Sequence, residues 1–429
     1  MARRRWRTTF LLATPLLLAA WLGPATAGHA ATVRSDGSSV TSIAASTTPP
    51  HGSASAAARR VTGWQARLDR LIGSAPMSVA VGRPGQVWYT HLGRSPRIPA
   101  SNEKLLLSMA LLDTSGPDTQ LITQVRSAAS PDAQGRVTNL WLLGSGDPYV
   151  DRADMRALAR AVSAAGVRTV TGDVVGGLGP FTRDDDAPGW KSWFPGTLVP
   201  LPTALTFDSN VGPHGGALAV PEQRAAQAFV AALRAKGVVV RGSATTGRPP
   251  GGLSRVAAIA PPVTDPMGWM LQVSDNFAAE VLGKRLGWES SGTGSIAAAA
   301  AAICGLERDW DVSARCNDAS GLSYRNRQTA RGMLHMLTRA QQQDWGDELR
   351  LLLPAPGMGS LEGRLAGLDV RAKTGTLTNI SALSGWVRVD SDSDWVAFSL
   401  LTRGMDSTAA KALEDKVVRL LAQRARVSA

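Results

Sequence analysis

Three regimes of hydrophobic and polar patterning follow one another along the 429 residues of this chain. The first 27 residues carry Arg3, Arg4, Arg5 and Arg7, an apolar stretch from Thr8 to Gly23, and the small-residue run Ala25-Thr26-Ala27. A basic start, a short apolar core and a small-residue cleavage site predict a secretory signal over 1–27. The stretch is short for the ~20 residues of a membrane span. Left uncleaved, it would act as an N-terminal anchor and the chain's one membrane contact. Residues 28–60 are rich in Ala, Ser, Thr and Gly, contain Pro49-Pro50 and show no apolar period. They predict a disordered linker.

The third regime is periodic. Residues 61–72 read as a helix, and Ser78–Gly82 and Val87–His91 around Pro84-Gly85 as a β-hairpin. In PASNEKLLLSMALL, Leu105, Leu106, Met109 and Leu112 make a helical apolar stripe behind Pro99. From about Asp118 the pattern shifts to short strand-like runs (Val137–Leu143, Val167–Val175), Gly/Pro turns, and amphipathic helices near 151–165 and 221–235. This predicts an inserted α/β accessory domain over 119–255. After Pro261-Pro262, helices are expected near 266–287, 294–304 and 328–342. Asp265 is read as an N-cap with Pro266 at the first helical position, and Ser274-Asp275-Asn276 as a turn interrupting the first helix. Residues 317–326 read as a loop. Val370–Leu377, Ala382–Val389 and Trp395–Leu401 read as strands, and 408–424 as a closing helix. The fold class expected is α+β. The hairpin and the C-terminal strands form a five-stranded antiparallel sheet covered by helices on both faces, in a domain built from 61–118 and 256–429.

Charge narrows the setting. The chain carries +12 at neutral pH, or +8 without the four signal arginines. A basic exported protein suits an anionic surface such as a cell wall. Export and the lack of an aromatic-interleaved basic stripe argue against nucleic acid. The two cysteines, Cys304 and Cys316, are a candidate disulfide in an oxidising compartment. The five histidines show no metal-ligand spacing, so no metal and no cofactor is expected.

Candidate chemistry resides in three short motifs. Lysine is scarce, seven among 46 basic residues. Only Lys104 follows a serine by three positions, giving Ser101-Asn102-Glu103-Lys104. Only Asn276 follows a serine by two, giving Ser274-Asp275-Asn276. Lys373-Thr374-Gly375 occurs once. Ser-x-x-Lys, Ser-x-Asn and Lys-Thr-Gly, in that order, are the signature of active-site serine enzymes that process penicillin and D-alanyl peptides. Three residues apart on a helix, Ser101 and Lys104 share a face. A serine hydroxyl needs a base, and lysine serves only when neutral. Burial and a second cation, here Lys373, depress a lysine pKa. Ser274 can relay a proton to a leaving amine, and Asn276 can hold the substrate backbone or Lys104. Lys373, Thr374 and Thr376 can grip a substrate carboxylate, Gly375 permits close approach to the strand, and the backbone N–H groups of Ser101 and Thr376 are a candidate oxyanion hole.

These motifs, with GSGDP at 144–148, SDNFAAEVLGK at 274–284, DASGLS at 318–323 and AKTGTL at 372–377, resemble the serine-type D-alanyl-D-alanine carboxypeptidase/endopeptidase family, the low-molecular-mass class C penicillin-binding proteins. The resemblance spans about 61–425 and implies a penicillin-binding transpeptidase-like domain. It implies Ser101 as nucleophile, Lys104 as base, Ser274 and Asn276 as relay and substrate contacts, and Lys373, Thr374, Gly375 and Thr376 on the substrate side. Peptidoglycan stem peptides are the expected substrates and β-lactams the expected acylating agents. Two other readings remain: a β-lactamase, for which Glu307 falls in the interval of a deacylating glutamate but within an unlike ERDWD context, and a catalytically silent cell-wall binding protein.

Overall fold

Strands from the two ends of the chain meet in one antiparallel sheet. The computed structural model describes residues 63–389 and 395–423. The signal expected over 1–27 and the linker expected over 28–60 lie outside the described residues. The hairpin and the three C-terminal strands share it, as expected, in the order Val370–Leu377, Ile380–Arg388, Trp395–Arg403, Met77–Arg83, Gln86–His91. Alternate residues feed opposite layers. Val79 and Val81 pack with Trp64, Leu68 and Ile72 of helix Gly63–Ile72 and Val417, Val418 and Leu421 of helix Ser407–Ala422. Ala80, Ala382 and Leu401 pack instead with helix Glu103–Ser115 and with Met333 and Leu337 of helix Ala330–Ala340. Both faces of the central strands are therefore buried. The short residues Ala80, Ala382 and Ala397 let helix Glu103–Ser115 lie close to the sheet.

A second sheet and a small third one occupy 123–259. The second has the order Ser254–Ile259, Thr123–Ser127, Leu140–Leu143, Val174–Gly177, Ala244–Gly247. The third joins Arg136–Val137, Thr169–Val170 and Val239–Val240 in parallel. The runs Val137–Leu143 and Val167–Val175 therefore each contribute to two sheets rather than making one strand. The chain steps sideways at Thr138-Asn139 and at Thr171–Asp173, where local bonds replace the ladder. Gly172 N donates to Thr138 O at 2.7 Å and Asp173 N to Asn139 Oδ1 at 2.7 Å. A Cβ on Gly172 would sit 2.2 Å from Asn139 Oδ1, so the crossing requires glycine. Helices Arg152–Ala164 and Pro221–Arg234 connect the parallel strands.

Three helical details differ from the sequence reading. Helix Thr264–Val273 starts before Asp265, which stands with Pro266 inside the first turn without capping it. Helix Ile296–Asp309, capped by Ser295, runs five residues beyond 304. Helix Gly346–Leu352, a single short amphipathic stretch, went unread. Among the described residues no helix is long and apolar enough to cross a membrane.

Cys304 and Cys316 form a disulfide that ties helix Ile296–Asp309 to the start of the 317–326 loop. Closing a loop of this length stabilises by about 3 kcal/mol in the chain-entropy model. Cys304→Ser with Cys316→Ser is expected to lower unfolding stability by about that amount, read from urea titrations at equal m-value.

Candidate active site

The segment around Ser101 is held in an uncommon backbone shape. Ala100 has φ 47°, a left-handed conformation that costs a non-glycine residue about 1–2 kcal/mol. Ser101 follows in the short 3₁₀ turn Ala100–Asn102, which runs into helix Glu103–Ser115. Two glycines make room for it. A Cβ on Gly321 would fall 1.9 Å from Ala100 O, and one on Gly375 would fall 2.9 Å from Pro99 O and 3.0 Å from Ser101 N. The sequence reading gives the space at Gly375 to substrate; here the backbone of Pro99 and Ser101 fills it. Asn102 fixes the other side, donating from Nδ2 to Ser384 Oγ at 2.7 Å in the sheet.

Three motifs far apart in sequence converge on this segment. Lys104 Nζ lies 3.2 Å from Ser101 Oγ, 2.8 Å from Asn276 Oδ1 and 2.6 Å from Ser320 O. Lys373 Nζ donates to Ser274 Oγ at 2.9 Å and Thr374 O at 2.8 Å. Both ammonium groups are fully buried, whereas Ser101, Ser274, Asn276 and Thr376 remain open to solvent. Ser274 has φ 63° at the end of helix Thr264–Val273, and Asp275 caps helix Asn276–Ser291 through Ala278 N at 3.1 Å. The left-handed break aims Ser274 and Asn276 at the two lysines.

Burial governs the electrostatics. It pushes Lys104 down to about 8, although the carboxylates of Asp318, Asp275, Glu280 and Glu103 pull the other way. Burial, then the Lys104 ammonium, depresses Lys373 well below the usual lysine range. The depression expected at Lys104 from Lys373 is thus felt most strongly at Lys373 itself. Behind helix Glu103–Ser115 lies an acidic layer. Burial, with the nearby carboxylates of Glu307, Asp318 and Glu280, raises Glu103 well above the carboxylate range. Burial also lifts Glu280 to about 7, with Asp318 adding to it. Glu103 Oε1 and Glu280 Oε2 have no hydrogen-bond partner, which buried carboxyl groups tolerate best when protonated.

Several supporting residues escape motif reading. Glu280 Oε1 accepts from Ala319 N at 3.1 Å and Ser320 N at 2.8 Å, fixing the carbonyl that holds Lys104. Asp318 accepts from Gly321 N, Ser323 N, Asn326 Nδ2 and Trp190 Nε1 at 2.6–3.1 Å. Tyr149, directly after GSGDP, donates from its hydroxyl to Asp275 Oδ2 at 3.0 Å. The 123–259 region therefore braces two of the converging loops. Glu280 had one readable signal: a lone acid within the apolar helical run FAAEVL.

Glu307 does not join the site residues. It is buried on helix Ile296–Asp309 and bonds Gln328. Cys304, Glu307 and Cys316 lie within metal-ligand reach of one another, but the disulfide removes both thiolates as ligands.

Comparison with known proteins agrees with this geometry. The family model described as the D-Ala-D-Ala carboxypeptidase 3 (S13) family matches residues 73–211 and 201–424. The D-alanyl-D-alanine carboxypeptidase of Actinomadura sp. (strain R39) is 27% identical over 471 aligned residues, covering 87% of each chain. Carboxypeptidase DacB of Mycolicibacterium smegmatis is 28% identical over 358 residues, 75% of this chain and 74% of that one. Among solved structures, penicillin binding protein 4 of Haemophilus influenzae superposes with a TM-score of 0.72 at 19% identity, covering 83% of this chain and 99% of that one. Its complex with a β-lactam gives a TM-score of 0.65 at 18% identity, covering 82% and 97%. With the family model spanning most of the chain and the α+β fold shared, this protein belongs to the D-Ala-D-Ala carboxypeptidase 3 (S13) family.

Proposed function

We propose that this protein is a serine D-Ala-D-Ala carboxypeptidase acting on peptidoglycan stem peptides in the cell envelope. The observation that carries the reading is the convergence of Ser101, Lys104, Ser274, Asn276 and Lys373, with Lys104 Nζ reaching Asn276, 172 positions along the chain. Neutral Lys104 takes the Ser101 proton as Oγ attacks the carbonyl of the penultimate D-alanine. The N–H groups of Ser101 and Thr376 stabilise the tetrahedral oxyanion. Lys373 and Ser274 supply a proton to the departing amine of the terminal D-alanine, whose carboxylate Lys373, Thr374 and Thr376 receive. The proton held by Lys104 passes back to the Ser274–Lys373 donor, leaving Lys104 neutral; it then takes a proton from the attacking water and delivers it to Ser101 Oγ as the ester breaks, releasing the shortened peptide as its carboxylic acid. Endopeptidase cleavage of D-alanyl cross-links follows the same steps, and a β-lactam acylates Ser101 in place of the peptide. The test is release of D-alanine from a diacyl-lysyl-D-Ala-D-Ala tripeptide. Absence of release from folded protein would refute the reading.

We infer further that residues 119–255 act as an inserted accessory domain that braces the cleft through Tyr149 and Trp190, and that 1–27 directs export. Glu280 is proposed as a positioning residue for Lys104. Glu280→Ala leaves two buried N–H groups unpaired, an expected loss of about 2–4 kcal/mol, with acylation slowed about tenfold. Glu280→Gln keeps both bonds but removes a carboxylate that raises the Lys104 pKa. The rising limb of its penicillin-acylation pH profile is expected to move to lower pH, a shift that loss of packing alone would not give.

A further inference from the structure

Helix Thr264–Val273 ends on Ser274, and its outer face is apolar where water would favour polar groups. Trp269 and Val273, four residues apart and so on one face of the helix, are 43% and 42% exposed. Met358, 42% exposed, stands next to the end of the same helix. Its neighbour Gly359 lies so close that a Cβ there would fall 2.3 Å from the Gln272 carbonyl oxygen. Large apolar side chains left together in water mark a binding surface.

A cation borders this surface. Arg371 and Lys373 are two apart on strand Val370–Leu377 and project to one side of it. Lys373 Nζ meets Ser274 Oγ at 2.9 Å. Arg371 Nη1 donates to Leu353 O at 3.5 Å, just past helix Gly346–Leu352. Leu352 in turn lies against Gly268, where a Cβ would fall 3.2 Å from Leu352 Cδ2. Helix Thr264–Val273 and the strand therefore meet at Ser274 and Lys373 and are joined again through Leu352-Leu353. Trp269, Val273 and Arg371 lie on the stretches between these two junctions, and Met358 lies on the loop that links helix Gly346–Leu352 to the strand. Among the described residues Arg371 stands in no ion pair.

Ser274 is the group that hands a proton to the departing amine, so whatever carries that amine lies against Ser274 and continues outward from it. A single D-alanine goes no further than its own carboxylate. Trp269 precedes Ser274 by five residues, about 7.5 Å along a helix, which is the reach of about two residues of extended peptide. In a D-alanyl cross-link the departing amine belongs to a side chain of a second stem peptide, which brings apolar side-chain stems and carboxylates of its own. The stems suit Trp269, Val273 and Met358, and a carboxylate suits the Arg371 fork. We propose that Trp269, Val273, Met358 and Arg371 bind this second stem peptide, the leaving strand of a cross-linked dimer. The proposal rests on the carboxypeptidase reading above. The bond broken is the amide between the D-alanyl carbonyl and the second strand's side-chain amine; the Ser101 ester forms, and the amine leaves with the proton from the Ser274–Lys373 donor.

The test gives the full chain two substrates. One is the disaccharide-tetrapeptide dimer joined by a D-alanyl–diaminopimelyl bond, followed by chromatography. The other is diacyl-lysyl-D-Ala-D-Ala, followed by D-alanine release. Trp269→Ala and Arg371→Gln lie outside the proposed catalytic set. Each is expected to raise KM for the dimer at least tenfold, with kcat for the dimer and both constants for the tripeptide within twofold of wild type. Trp269→Phe, which keeps an aromatic face, is expected to recover most of the loss. Equal losses on both substrates would make the residues structural and overturn the proposal. Unchanged dimer cleavage in the variants, or a wild type that turns over tripeptide and leaves the dimer intact, would overturn it too. So would a self-associated wild type that Trp269→Ala renders monomeric with dimer cleavage unchanged, which would assign the surface to a second copy of the chain. If folded wild type turned over neither substrate, the carboxypeptidase reading itself would fall and take the proposal with it.

Discussion

Ser101→Ala is expected to abolish D-alanine release and penicillin acylation, a loss of about ten-thousand-fold or more, while leaving the fold intact. Removing a nucleophile leaves only positioning and oxyanion stabilisation, and such residual catalysis is small. The hydroxyl belongs to a partly exposed residue and has Lys104 as its hydrogen-bond partner at 3.2 Å. Its removal therefore strands no deeply buried group except Lys104, which keeps Asn276 Oδ1 and Ser320 O. Stability by urea titration should move by less than about 1 kcal/mol. A variant that is inactive yet equally stable separates chemistry from folding. One that keeps turning over peptide would place the nucleophile elsewhere.

Lys104→Met is expected to be nearly as damaging and to destabilise as well. A positioned general base contributes about 10²–10⁴ in rate. Removing it also leaves Asn276 Oδ1 and Ser320 O without their donor, at roughly 1–3 kcal/mol for each group stranded from water. The pH dependence carries the signature. Burial holds Lys104 at about 8, and only the neutral amine accepts a proton. Wild-type kcat/KM should therefore rise with pH through about 8, and the residual rate of Lys104→Met should lack that limb. The sign for stability follows the same group. Between about 8 and its ordinary value of 10.5, the unfolded chain holds a proton at this lysine that the folded chain does not. Its contribution to stability thus rises with pH across that window. Unfolding measured from pH 8 to 10.5 should show this slope in wild type and not in Lys104→Met.

The parts of this molecule legible in its sequence are those specified by short-range spacing. Ser101 and Lys104 are one helical turn apart, so a tetrapeptide already implies their contact. The strands Met77–Arg83 and Trp395–Arg403 alternate between two buried layers, and their apolar runs bounded by turns show it. Less legible is whatever depends on how distant polar groups meet. Asp318 looks like a loop aspartate, yet it gathers donors from Trp190 and from its own loop. Tyr149 looks like the end of a turn, yet it reaches Asp275 across 126 positions. Nothing within a ten-residue window distinguishes these side chains from solvated ones. The sideways steps at Asn139 and Gly172 are hidden for a related reason. The apolar residues on either side read as one strand-like run while the hydrogen-bond partners change. Gly375 illustrates a further limit: a glycine two residues after Lys373 signals close approach, but not whether substrate or the protein's own backbone approaches.

The most direct measurement is to incubate the full chain with benzylpenicillin, follow remaining drug and intact mass over time, and map the modified peptide. The account predicts a lasting single adduct on Ser101, absent from Ser101→Ala, while unreacted drug persists. Rapid drug loss with only a fleeting adduct would mark a β-lactamase, and a stable adduct on any other residue, or none on folded protein, would contradict the assignment of Ser101 as nucleophile.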